Sequence, residues 1–139
     1  MDERASGGDF DAVSGNVQIF EVEDCLLVAI REDLDDRAVL ELQDKLTERI
    51  SRTHARGVLI DISALDVVDT FIGRMLGSIA RMAAILDAAS VLVGMRPAVA
   101  ITLVELGMPL GGVRTALNVD RGLRLIRSQI DGRAGDDGR

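Results

Sequence analysis

Cysteine and histidine are almost missing from this chain: Cys25 and His54 are the single examples of each in 139 residues. One cysteine cannot close an internal disulfide, and two such ligands in all cannot build a structural zinc site. Cationic excess is missing as well. Sixteen Lys and Arg stand against 23 Asp and Glu, a net charge of −7, and no basic patch is visible. Nucleic-acid affinity is largely built from clustered Lys and Arg, so this balance argues against a phosphate-backbone binder. No apolar run approaches the roughly 18–20 residues that cross a bilayer. The opening Met1-Asp2-Glu3-Arg4 is too acidic and polar for a signal peptide. The expectation is a cytoplasmic protein with no nucleic-acid or membrane partner.

What is present is a high apolar content, 47%, enough for one domain with a real core and too little chain for two ordinary ones. Residues 1–16 are rich in Gly, Asp and Ser without periodicity and are expected to be a disordered leader, too short for a further module. Val17 to Val22 alternates, Glu23-Asp24 makes a two-residue turn, and Cys25 to Ile30 is apolar, the pattern of a hairpin. In that run Cys25 is a small core residue rather than a reactive thiol. Val39, Leu40, Leu42, Leu46 and Ile50 mark a first amphipathic helix, capped by Asp35 or Asp36. Gly57 to Ile62 is a buried strand, and Ile72, Met75, Leu76, Ile79, Met82, Ala83 and Leu86 carry a second helix from about Thr70 to Asp87.

The alternation repeats. Ser90 to Gly94 is a short strand, and Pro97 opens a third helix in which Ala98 to Leu106 is apolar on nearly every side. Gly107-Met108-Pro109 stops it, Val113 to Leu117 forms a last strand, and Asp120, Leu123, Leu125 and Ile126 begin a terminal helix. Residues 131–139 are expected to be a disordered tail. The order is an α/β fold in which helices link parallel strands: a mixed sheet of about five strands with four helices packed against it, over residues 17–130.

A catalytic constellation is not found. His54 lies in a helix-to-strand connection and is expected to be solvated. Asp33, Asp35 and Asp36 lack the glycine and late glutamate of a calcium loop, and helix capping accounts for them. Gly7-Gly8 and Gly111-Gly112 are glycine pairs outside any Walker arrangement. No cofactor or metal is implied. An acidic pocket around Asp61, Asp66 and Asp69 would be the basis of an enzyme or ligand carrier, but no His, Cys or Lys is paired with those carboxylates.

The segment that remains is Leu65-Asp66-Val67-Val68-Asp69-Thr70-Phe71-Ile72-Gly73-Arg74-Met75-Leu76-Gly77, where one hydroxyl meets an acidic turn and a helix start. From the residues alone two readings of Thr70 stand. It is a helix N-cap satisfying an orphan N–H, or a phosphoacceptor whose added charge the helix N-terminus would favour and Asp66 and Asp69 would oppose.

Three stretches resemble one family. They are Asp24-Cys25-Leu26-Leu27-Val28 with Leu34-Asp35-Asp36, Gly57-Val58-Leu59-Ile60-Asp61 with Val68-Asp69-Thr70-Phe71-Ile72, and Gly94-Met95-Arg96-Pro97-Ala98-Val99-Ala100-Ile101-Thr102-Leu103-Val104-Glu105-Leu106-Gly107. Over about Val17 to Ile130 the chain is similar to the STAS domains of bacterial anti-sigma-factor antagonists, and within them to the small scaffold antagonists of the stressosome. The resemblance implies a non-enzymatic regulator with Thr70 as the hydroxyl that a partner serine/threonine kinase phosphorylates, which releases that kinase. Scaffold members usually carry serine there and their sensor-bearing paralogues threonine. In those paralogues a second phosphorylatable threonine falls at the position of Asp36. Further implied partners are a sensor-bearing STAS paralogue, a cognate phosphatase, and copies of the chain itself in dimers and a large assembly. Asp66, Asp69, Phe71, Ile72, Arg74, Met95 and Arg96 are expected to line the docking surface. A simple anti-anti-sigma factor that binds an anti-sigma kinase directly is the rival within the family, and the size of the native complex separates the two.

Overall fold

The computed structural model describes residues 10–13, 17–31, 34–107 and 113–137. Gly7, Gly8, Asp33, Met108, Pro109, Gly111 and Gly112 lie outside the described residues. Among the described residues the elements follow in the order β1 (Phe10–Val13), β2 (Val17–Val22), β3 (Cys25–Ile30), α1 (Asp36–Thr53), β4 (Gly57–Asp61), α2 (Thr70–Ile85), β5 (Ala89–Val93), α3 (Pro97–Glu105), β6 (Arg114–Ala116) and α4 (Val119–Asp137).

The strands form one sheet in sequence order, β1 to β6. β1 and β2, and β2 and β3, pair antiparallel. From β3 to β6 every pairing is parallel, with Leu27, Leu59 and Val91 in one row. Parallel neighbours cannot be joined by a tight turn, and α1, α2 and α3 supply the crossovers. Each of these helices therefore starts beyond the C-terminal end of a strand, and their N-termini gather at one end of the sheet.

The five expected strands are all present, and a sixth precedes them. β1 falls within the segment expected to be a leader and pairs Asp11 with Ile19 and Val13 with Val17. Without it the outer edge of β2 would leave its N–H and C=O groups unpaired. A second correction concerns the expected tail, because α4 continues through it to Asp137. Gly132 lowers helix propensity by about 1 kcal/mol against alanine, which does not stop a helix already under way.

Local chemistry explains the helix limits. Asp35 caps α1, its Oδ1 accepting the Ala38 N–H at 2.8 Å. His54, exposed and left-handed at φ 55°, ends the helix by donating its N–H to the Ile50 carbonyl. On one face of the sheet α1, α2 and α3 bury a core that includes Ile19, Val28, Leu42, Leu46, Ile60, Ile72, Leu76, Val99 and Leu103. On the other face α4 sets Leu123 and Ile126 against Cys25, Leu59, Val91 and Val93. That approach needs a glycine at 122, where a Cβ would stand 2.4 Å from Leu59 Cδ2.

Candidate functional site

Two loops meet at the end of the sheet where the helices begin. The β4–α2 loop, 62–69, is folded on itself: Asp61 Oδ1 accepts the Ser63 N–H at 2.9 Å and the Leu65 N–H reaches the Ile62 carbonyl at 3.0 Å. Leu65 and Val68 are buried and anchor it, which leaves Asp66, Val67 and Asp69 in solvent. An alternation of buried and exposed residues in so short a turn fixes which side chains a partner can touch.

The second loop, 94–96, grips the first. Arg96 Nε donates to the Ser63 carbonyl at 3.0 Å, and its Nη1 forms an ion pair with Asp66. The Ile62 N–H donates to the Val93 carbonyl at 3.1 Å. Gly94 makes the approach possible. Its φ is +74°, and a Cβ there would stand 2.7 Å from Ser63 Cβ.

The cap of α2 is Asp69, whose Oδ1 accepts the Ile72 N–H at 3.0 Å. Thr70 is the first residue of the helix, half-buried, and its hydroxyl takes no part in capping. The capping reading of Thr70 is therefore corrected: a carboxylate one residue earlier already serves the orphan N–H, since only one side chain fills that place.

Of the residues expected to line a docking surface, Asp66, Asp69, Arg74 and Arg96 are exposed, and Phe71 is 37% exposed. Ile72 is corrected to a core residue at 1% exposure, because it lies on the inward stripe with Met75, Leu76 and Ile79. Met95 is half-buried and packs against the same core. Sequence reading missed Val67, 73% exposed, although an apolar residue between acidic ones in a turn is a visible signal. It also missed Ser63 and Gly94, whose roles exist only once the two loops touch.

Asp61, Asp66 and Asp69 do not share a pocket as three free acids. One holds the loop, one pairs with Arg96 and one caps α2. Among the described residues no group of three or more His, Cys, Asp or Glu could hold a metal ion. Burial and the neighbouring Asp24 carboxylate push the Cys25 thiol up to about 12. No described helix is long and apolar enough to cross a membrane.

Comparison with known proteins gives consistent relatives. A variant of RsbS from Moorella thermoacetica is 43% identical in a match covering 83% of this chain and 97% of that one, with a TM-score of 0.72. A chain from the molecular architecture of the stressosome, a signal integration and transduction hub, is 44% identical, covering 81% of this chain and 97% of that one at the same TM-score. The RsbT co-antagonist protein RsbRA of Bacillus subtilis is 26% identical over 98 residues, 70% of this chain; the chain spans 36% of the length of that curated relative. The model of the STAS domain matches residues 16–120, and with that span and these relatives the chain belongs to the STAS domain family.

Proposed function

We propose that this protein is a non-enzymatic scaffold of a stress-signalling assembly, which holds a serine/threonine kinase at the β4–α2 loop and releases it when Thr70 is phosphorylated. The freed kinase then acts on a downstream pathway that ends in a sigma factor or another output. Its relatives RsbS and RsbRA support the class of role, and a sensor-bearing STAS paralogue and a phosphatase that resets Thr70 complete the proposed circuit in the cytoplasm.

The observation that carries the reading is the position of Thr70. Its hydroxyl stands at the first turn of α2, freed from capping by Asp69 and flanked by exposed Asp66, Val67, Phe71 and Arg74. A phosphate there adds nearly two negative charges. The helix N-terminus favours them, while Asp66 and Asp69 oppose them, so the modification changes the surface more than the fold. An interface packed on this loop would have to bury that charge, and burial of an unpaired charge is costly.

The test is intact mass and fragmentation of the protein isolated from its own cells before and after stress, with co-purification of the kinase followed in parallel. The expected result is a phosphate on Thr70 after stress and loss of the kinase from the same fraction. A Thr70 that stays unmodified under every stress, or a kinase retained equally by both forms, would remove the switch.

A further inference from the structure

One edge of the sheet lies open beneath a helix. β6 is the last strand and, among the described residues, pairs only with β5. The Gly94 N–H donates to the Ala116 carbonyl at 3.3 Å, so Ala116 turns its backbone toward β5. Residues of a strand turn their N–H and C=O to the two edges alternately, and Thr115 therefore presents both groups to the open side. Helix α4 overhangs that side. On one flank of the helix Arg127 reaches back to Glu23 in the β2–β3 turn at 2.8 Å. Arg121, Leu125 and Ser128 follow the opposite flank at helical spacing and enclose, with Thr115 and Leu117, a cleft of about 540 Å³ beside β6.

Three cations stand at this cleft. Arg121 and Arg124 line it, and exposed Arg114, two positions before Ala116, shares the face of β6 that α4 covers. Asp120 pairs with Arg124 at 3.1 Å, but the two are 78% and 68% exposed, and such a pair is weak enough to yield to another carboxylate. We infer that the cleft takes an extended acidic segment of a partner protein, added to β6 as a further strand. Its backbone would pair with Thr115, its carboxylates with Arg121 and Arg124, and an apolar side chain would rest on Leu117 and Leu125.

The chemistry of the lining selects this occupant. The outward N–H and C=O of Thr115 ask for another peptide backbone, which neither a free phosphate nor a nucleic-acid strand supplies. Leu117, 71% exposed, and half-buried Leu125 ask for apolar contact at the same place. The arginines choose the sign. A chain of net charge −7 repels an acidic segment at a distance, but within a Debye length of roughly 10 Å the nearest charges govern, here three positive and one negative. None of these residues belongs to the β4–α2 loop, so the site adds to the kinase-holding role rather than restating it.

Fluorescence anisotropy on the full chain tests the site, with a labelled synthetic peptide of about eight residues, alternating Glu and Val, as the probe. Saturable binding that weakens at high salt is expected, and a peptide alternating Lys and Val should not bind. Arg121→Ala combined with Arg124→Ala is expected to weaken binding by about tenfold or more. Thr115→Pro removes the outward N–H at an edge position that tolerates proline, and a loss of about threefold or more is expected. Arg52→Ala combined with Arg127→Ala changes the net charge equally away from the cleft and should stay within about twofold of wild type. Far-UV circular dichroism checks that each variant is folded. N-methylation of alternate peptide amides tests pairing without altering the protein: one alternate set should abolish binding and the other spare it. No saturation with the Glu and Val peptide overturns the inference. So does a folded double arginine variant that binds normally, or equal binding by the parent and both methylated peptides. A labelled oligothymidylate that binds as tightly as the acidic peptide overturns it too, by reducing the cleft to an anion patch. Thr70→Ala is expected to bind the peptide unchanged, so loss of this site and loss of the Thr70 switch are distinct results.

Discussion

Arg96 at the head of α3 is paired with Asp66 in the loop before α2, across 30 positions of sequence, and the same guanidinium holds the Ser63 carbonyl. One side chain thus ties the start of α3 to the loop that presents Thr70. Both charged groups are more than half exposed, 54% for Arg96 and 72% for Asp66. Solvent screening keeps such a pair weak in stability terms. Its effect is on position: the loop is fixed at both ends by strand and helix, at its middle by Leu65 and Val68, and at its outer turn by Arg96.

Removal of this grip is expected to loosen the loop without unfolding the domain. In Arg96→Ala, hydrogen exchange of the amides from 63 to 70 should quicken while global stability falls by no more than about 1 kcal/mol. High salt should quicken the same amides in the wild type. Gly94→Ala should act more broadly, with a loss of roughly 1–3 kcal/mol in a urea melt, because the residue is held at φ +74° with Ser63 in the way. Exchange in Arg96→Ala unchanged from wild type would show that the ion pair does not order the loop.

Asp69 and Thr70 should separate cleanly in stability. Asp69→Ala removes the carboxylate that accepts the Ile72 N–H and is expected to cost about 1 kcal/mol. Thr70→Ala removes a hydroxyl that caps nothing and should stay within about 0.5 kcal/mol of wild type. Paired denaturant melts measure both. Equal losses in the two variants would return Thr70 to a capping role.

Cys25 should be inert in the native protein. Its ordinary value of 9.0 is raised to about 12, first by burial and then by the Asp24 carboxylate. Folding therefore favours the neutral thiol. That contribution to stability is complete below pH 9 and is lost as pH rises toward 12. Alkylation at pH 8 to 9 should be slow in the folded chain and fast in denaturant, since the thiolate is the nucleophile. Native alkylation at the denatured rate would contradict the burial of Cys25 beneath α4.

The elements were legible where periodicity is strong. Thr70 as the start of α2, Pro97 as the start of α3 and the Glu23-Asp24 turn all stand where the sequence places them. β1 was not legible, because four residues offer too little pattern and their pairing depends on the free edge of β2. The continuation of α4 was hidden by Gly132 and a polar composition, which read like a tail. At the site, the sequence marked the acidic loop and the hydroxyl but not which aspartate caps α2. It also placed Ile72 on the surface, although its spacing to Met75, Leu76 and Ile79 assigns it to the inward stripe.

By itself the sequence determined the order of strands and helices, the apolar faces they bury and the position of Thr70 at a helix start, since these follow from spacing within short windows. Only the tertiary structure decided that Arg96 holds Asp66, that Gly94 must lack a side chain, and that Ile101 and Val104 face solvent while Val99 and Leu103 do not. Those facts depend on which segments the parallel sheet brings side by side. Residues some thirty positions apart carry no local signal of that meeting, and a helix apolar all round does not say which of its sides the core will take.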